Sequence, residues 1–115
     1  MKILVVEDDF IVAFDMQSML EEEGARVLGP AASVQEARDI IAIEAPEAAV
    51  LDVNLNGEFV FPLAEELHQK GIPFLFATAY ADDDRLFPVL TRNVPRLSKP
   101  VLPAVLATQL RKLLR

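Results

Sequence analysis

The chain has 115 residues, 52% of them hydrophobic, with no cysteine, one histidine and a formal net charge of −7. That length suits one domain with a core of its own, and the lack of cysteine excludes disulfide frameworks, thiol nucleophiles and cysteine-based zinc sites. The acidic balance argues against direct binding to nucleic acid and leaves a protein partner, or a cation held by oxygen, as the expectation. No apolar run reaches the ~18 residues of a membrane span, and the start of the chain lacks a secretory h-region, so a cytoplasmic location is expected.

Short apolar runs alternate with helical stretches. Residues 2–6 predict a buried strand, and 9–23 a helix with Val12, Met16, Met19 and Leu20 inward, Asp9 as its N-cap and Gly24 as its stop. Residues 26–28 read as a short second strand ending at Gly29-Pro30. Ser33 and Glu36 have capping-box spacing and open a helix that buries Ala37, Ile40 and Ile41 before Pro46 closes it. Residues 48–53 form a third strand carrying Asp52 at its end, 54–58 a loop, and Val60, Leu63, Ala64 and Leu67 mark a third helix stopped by Gly71. Residues 73–78 are the fourth strand. Asp82, Asp83 and Asp84 open a fourth helix that Pro88 keeps short or irregular. Residues 94–98 are a weak fifth strand. Pro103 starts a last helix with Val105, Leu106, Leu110 and Leu113 inward, and Arg111, Lys112 and Arg115 suit the negative end of its dipole.

Five strands each followed by a helix imply an α/β fold with a doubly wound, five-stranded parallel sheet in three layers; a barrel needs about twice the length. In such sheets ligands bind at the carboxyl ends of the strands. Glu7, Asp8, Asp52, Thr78, Ser98 and Lys99 all fall there. Three converging carboxylates repel one another unless a cation joins them, and Mg2+ (or Mn2+) is the natural choice for oxygen ligands. Asp8 and Asp52 are expected to bind it directly, Glu7 through water, and Asn54 through its backbone carbonyl. Asp52 is then a plausible nucleophile forming an aspartyl phosphate, with Lys99 and Thr78 meeting the phosphoryl oxygens.

Val5-Val6-Glu7-Asp8, Leu51-Asp52-Val53-Asn54, Phe76-Ala77-Thr78 and Lys99-Pro100 resemble, in order, the signatures of receiver domains in two-component signalling. The resemblance spans nearly the whole chain, read as one domain over residues 1–115. It implies a flavodoxin-like sheet of order 2-1-3-4-5, Asp52 as phosphoacceptor, Glu7 and Asp8 as the acidic pair, Thr78 as switch hydroxyl, Lys99 as phosphate-binding lysine and a cis bond before Pro100. It also implies a sensor histidine kinase or histidine phosphotransfer protein as donor, and a downstream partner or output domain, with a second copy of the chain as a further candidate. Such a domain is no classical enzyme; it catalyses its own phosphorylation and dephosphorylation. Two departures bear on output. Arg96 stands where typical receivers carry a switch aromatic, and Phe76-Ala77-Thr78-Ala79-Tyr80 is similar to a subgroup marked by Phe-Ala-Thr-Gly-aromatic, with Ala79 for the glycine. Tyr80 is therefore expected to take part of the switching role. The loop after Asp52 also lacks the proline common in the family.

Other readings are weaker. An aspartate-nucleophile phosphatase resembles D-x-D, and Asn54 cannot supply the second acid; a phosphorylation-independent receiver would have lost an acid or the lysine. A flavodoxin-like cofactor carrier would not place acids after its first strand. His68, among polar neighbours, reads as an exposed bystander, so the phosphohistidine comes from another protein. Glu21-Glu22-Glu23 and Asp82-Asp83-Asp84 read as solvated clusters. Arg92, Arg96, Arg111, Lys112 and Arg115 give the last strand and helices a basic bias that suits an acidic protein surface.

Overall fold

In chain order the elements are β1 (Lys2–Val6), α1 (Phe10–Glu22), β2 (Arg26–Ala31), α2 (Val34–Ile43), β3 (Ala48–Leu51), β4 (Asn54–Leu55), β5 (Glu58–Phe59), α3 (Phe61–Gln69), β6 (Phe74–Thr78), β7 (Arg96–Ser98) and α4 (Pro103–Leu113). The structure is a computed structural model and describes residues 1–114; Arg115, expected at the basic end of the last helix, lies outside them. Five strands pair in parallel in the order β2-β1-β3-β6-β7. Counted along the main sheet this is 2-1-3-4-5, as expected.

Side chains alternate across the sheet, and both faces are covered. Leu4 and Val6, Ala49 and Leu51, and Phe74 and Phe76 face Ala37, Leu63, Ala64 and Leu67 of α2 and α3. Ile3 and Val5, Ala48 and Val50, and Leu75 and Ala77 face Met16 and Leu20 of α1 and Leu106 and Leu110 of α4. Burial on both faces is why the central strands read as continuous apolar runs. Each fully buried Leu, Ile, Val or Phe contributes about 1.5–3 kcal/mol over an exposed one, so the sheet is the rigid part that holds the strand ends in place. Phe76 is the hub of one side, in edge or tilted contact with Phe61, Phe74 and Phe87 at centroid distances of 5.9, 5.7 and 5.3 Å.

Several local expectations need correction. β2 does not end at Gly29-Pro30 but runs to Ala31. Gly29 adopts φ +94°, the Gly29-Pro30 peptide is cis, and the register shifts between Leu4 and Val6 before pairing resumes, Val6 with Ala31. This strand lies at the sheet edge, where a proline's missing N–H is tolerated. β3 stops at Leu51, short of 53, and β7 begins only at Arg96. Residues 54–58, expected as a loop, form with Phe59 a two-stranded hairpin whose turn places Asn56 at φ +54° and Gly57 at φ +94°. That is the primed turn that Asn-Gly favours, because both residues tolerate left-handed backbone. On α1 the buried residues are Ala13, Met16 and Leu20, with Val12 and Met19 only half-buried. On α4 Ala107 takes the inner place expected of Val105, which is exposed.

Asp9 caps α1 as expected, accepting from the Ile11 and Val12 N–H groups. Ser33 caps α2, accepting from Glu36 N–H, while Glu36 reaches back one residue further than a standard box, to Ala32 N–H. The segment after β6 is irregular, with only two single 3₁₀ turns at Asp84–Leu86 and Val89–Thr91. Pro88 between them lacks the N–H a continuous helix would need.

Candidate acidic site at the strand ends

The residues following β1 and β3 are held by the sheet's own hydrogen bonds. Glu7 N–H donates to Ala31 C=O at 2.8 Å and Asp52 N–H to Val6 C=O at 2.8 Å, which carries the ladder one residue past each strand. One carboxylate oxygen from each of Glu7, Asp8 and Asp52 lies within 4.8 Å of the others. Thr78 pairs with Ser98 in register, and Lys99 N–H donates to Thr78 C=O at 3.1 Å, so β7 delivers Lys99 to the same edge. Its ammonium donates to Glu7 Oε1 and stands 3.3 Å from Asp52 Oδ1. Asp52 Oδ1 also accepts from Val53 N–H at 2.8 Å, and Glu7 Oε2 from Asp9 N–H at 3.1 Å.

Burial sets the electrostatics here. Glu7 and Asp52 are buried, and Asp8 is half-buried. Burial pushes the Glu7 carboxyl up to about 7 against the pull of Lys99 and the Asp9 N–H, with the Asp52 charge adding to the rise. Burial likewise raises Asp52, opposed mainly by the Lys99 charge. For Lys99 burial acts downward, but the Glu7 hydrogen bond and the Asp52 charge outweigh it and the ammonium is held above its ordinary value. One ammonium thus serves more than one buried acid. A second cation among these oxygens would relieve the remaining excess of negative charge.

The other expected site residues are placed less uniformly. Thr78 is fully buried at the end of β6, and its hydroxyl accepts from Tyr80 N–H at 3.0 Å. Tyr80 itself is half exposed. The side-chain oxygen of Asn54 turns into the hairpin and accepts from Gly57 N–H at 2.7 Å. The Lys99-Pro100 peptide is cis. His68 is exposed on α3, remote in sequence from the acidic edge.

Arg96 leaves the sheet on the other side and binds the irregular segment. Its guanidinium stacks 3.8 Å from the Phe87 ring centroid, donates to Ala81 C=O at 3.2 Å and pairs with Asp84 Oδ1 at 2.7 Å. The side chain is 12% exposed, so it is a strut rather than part of an open basic surface. Asp84 and Phe87 were missed as its partners. The one available signal was Arg96 itself, a cation in a strand position flanked by apolar neighbours, which needs a ring or carboxylate nearby.

No helix among the described residues is long and apolar enough to cross a membrane. The family model described as "Response regulator receiver domain" matches residues 3–111. The chain is similar to SdrG of Sphingomonas melonis Fr1, at 35% identity and TM-score 0.83, covering 99% of this chain and 96% of that one. It is also similar to the response regulator PhyR of Brucella abortus, at 27% identity and TM-score 0.80, covering 98% of this chain and 47% of that one. PdtaR, a transcriptional regulatory protein of Mycobacterium tuberculosis, is 30% identical over 84 residues, which are 72% of this chain and 41% of that protein. This chain spans half or less of the length of the curated relatives it matches. The parallel sheet, the acids at its edge and these likenesses agree: the chain belongs to the response regulator receiver domains of two-component signalling.

Proposed function

We propose that Asp52 accepts a phosphoryl group from a phosphohistidine on a sensor histidine kinase or histidine phosphotransfer protein, with Mg2+ (or Mn2+), and that the change is passed to a downstream protein partner or output domain. The observation that carries this is the meeting of Glu7, Asp8, Asp52 and Lys99 at one strand edge. The donor set suits a hard dication, being all oxygen and holding more buried negative charge than Lys99 offsets. Asp8 and Asp52 are the direct ligands in this reading, Glu7 acts through water, and the Asn54 backbone carbonyl completes the protein share. Bound there, such an ion neutralises charge on the incoming phosphoryl oxygens.

The chain's own groups do the rest. Asp52 Oδ1 is held by Val53 N–H and Lys99, so Oδ2 is assigned as the nucleophile. As its bond to phosphorus forms, the phosphorus–nitrogen bond breaks and the donor imidazole leaves with the electron pair. Lys99 moves its hydrogen bond from Glu7 to a phosphoryl oxygen, and Thr78 turns its hydroxyl from Tyr80 N–H toward another. Tyr80, at the other end of that lost bond, moves with it and limits the approach of the water that later hydrolyses the acyl phosphate. This fits the subgroup with Phe-Ala-Thr-Gly-aromatic. Arg96 takes the place of the usual switch aromatic by tying 81–87 to β7.

SdrG has been solved in a BeF3-activated conformation, at 32% identity to this chain and TM-score 0.80, which supports an activatable reading for its relative. We take residues 1–115 as one receiver domain acting in the cytoplasm. The test is reductive trapping: after incubation with a small-molecule phosphodonor and Mg2+, borohydride reduces an aspartyl phosphate to homoserine. Peptide mapping should find homoserine at position 52, and homoserine only at another acid would overturn the assignment.

A further inference from the structure

We infer that Asn56 is a site of spontaneous deamidation and that the side chain of Asn54 governs its rate by holding the Gly57 N–H. The inference rests on the hairpin alone and on nothing in the phosphoryl chemistry proposed above. Of the chain's three asparagines only Asn56 precedes glycine; Asn54 and Asn93 precede leucine and valine, whose side chains crowd the peptide nitrogen. Asn56 and Gly57 are both exposed, and a Cβ at Gly57 would meet no atom within 4 Å. Water reaches both residues.

The step is an intramolecular acyl transfer. The Gly57 backbone nitrogen gives its proton to a base carried by solvent and bonds to Asn56 Cγ, while the side-chain nitrogen leaves as ammonia, taking the electron pair of the broken bond and a proton. Water then opens the cyclic imide. Addition at Cγ leaves aspartate; addition at the backbone carbonyl leaves isoaspartate, in which the chain runs through Cβ and Cγ. Either product replaces a neutral amide by a carboxylate four residues past Asp52.

Two features of the turn oppose this step. Gly57 N–H donates to Asn54 Oδ1 at 2.7 Å, so the proton that must leave is held by a neighbour, and the nitrogen is fixed in a two-residue turn with Asn56 at φ +54°. Bonds from an Asn side chain to nearby backbone keep short turns in one conformation. Attack therefore waits for the turn to open. An isoaspartate adds one backbone carbon to that turn, so the register of Leu55 with Glu58 cannot be kept. Glu58 Oε1 also accepts from Val34 N–H at 3.2 Å, tying the hairpin to the first turn of α2. The modification thus frees that end of α2 as well as the loop that follows Asp52.

The test compares the folded full chain with a peptide of residues 53–59 in mildly alkaline buffer, by mass spectrometry with electron-transfer fragmentation, which separates isoaspartate from aspartate. Conversion should fall on Asn56 first, and more slowly in the chain than in the peptide. Asn54→Ala should speed it about two- to tenfold, the net worth of one hydrogen bond. Asn54→Asp, which keeps an oxygen for the Gly57 N–H, should convert near the wild-type rate, a rescue that a general loosening of the loop would not give. In the isoaspartyl form hydrogen exchange of the Val34 amide should quicken. A chain that converts as fast as the peptide, an Asn54→Ala variant that converts no faster than wild type, or first conversion of wild type at Asn54 or Asn93 would overturn the proposal.

Discussion

The two ends of β6 and β7 are built on opposite terms. At the acidic edge, polar groups are buried and fixed by sheet hydrogen bonds: Glu7, Asp52 and Thr78 are all under a tenth exposed. Past Thr78 the chain makes two 3₁₀ turns, exposes Val89 and Leu90, and is tied back by Thr78's hydroxyl, the Phe87 ring and Arg96. Chemistry needs groups that stay where the sheet puts them, whereas a response to that chemistry needs a segment of low local stability. The fold places a fixed and an irregular region side by side, joined at Thr78, whose hydroxyl accepts from Tyr80 N–H.

Removing the common support should harm both regions most. Phe76→Ala, which deletes the ring that Phe61, Phe74 and Phe87 pack on, should lose about 3–5 kcal/mol of stability in urea denaturation. A loss under 1 kcal/mol would mean that the irregular segment closes over the gap.

pH separates the two regions next. In the metal-free protein Glu7 is raised by burial to about 7 from an ordinary 4.5, and Asp52 shifts the same way. Such acids bind more protons folded than unfolded. Their contribution to stability is complete below the unfolded value and is lost as pH rises through the folded one. Unfolding free energy from urea denaturation in EDTA should therefore fall between about pH 4.5 and 7, by an amount on the order of a few kcal/mol. Glu7→Gln should flatten that slope, and an unchanged slope would assign the titration elsewhere.

Asp8→Asn removes one charge from the cluster. The metal-free variant should be more stable than wild type by about 1 kcal/mol or less, and should gain less from Mg2+, because stabilisation by a ligand follows its affinity for the folded state. Equal thermal shifts with Mg2+ in both proteins would count against a metal site built on Asp8. On the other side, Arg96→Met keeps the apolar stem over Phe87 but drops the charge. Hydrogen exchange of the amides in 81–91 should quicken several-fold, consistent with roughly 1 kcal/mol of local stability, while amides of β1 and β3 keep their rates.

The acidic edge was legible in the sequence because it obeys one rule: a buried apolar strand ends, and the next residue is a polar one that the sheet holds at the edge. Val6 before Glu7 and Leu51 before Asp52 show it, and Thr78 closes its own strand. The same reasoning failed where a residue had two meanings. Gly29-Pro30 looks like a stop, yet at an edge strand it serves as a bulge and the pairing resumes at Ala31. Asn56-Gly57 was read with its loop, although this dipeptide is itself a hairpin signal. On α1, Phe10, Ile11 and Phe14 are exposed, so apolar residues lie on more than one face and blur the helical period that would have separated Ala13 from Val12. The contacts of Arg96 were least legible, since its partners sit on a segment with no periodicity to place them.

The central claim is that Asp52 is a cation-dependent phosphoacceptor, and intact-mass analysis after incubation with a small-molecule phosphodonor addresses it most directly. Wild type with Mg2+ should gain the mass of one phosphoryl group, wild type in EDTA should gain almost none, and Asp52→Asn should gain none in either condition. Undiminished labelling of Asp52→Asn, or labelling of wild type that EDTA leaves unchanged, would contradict the account.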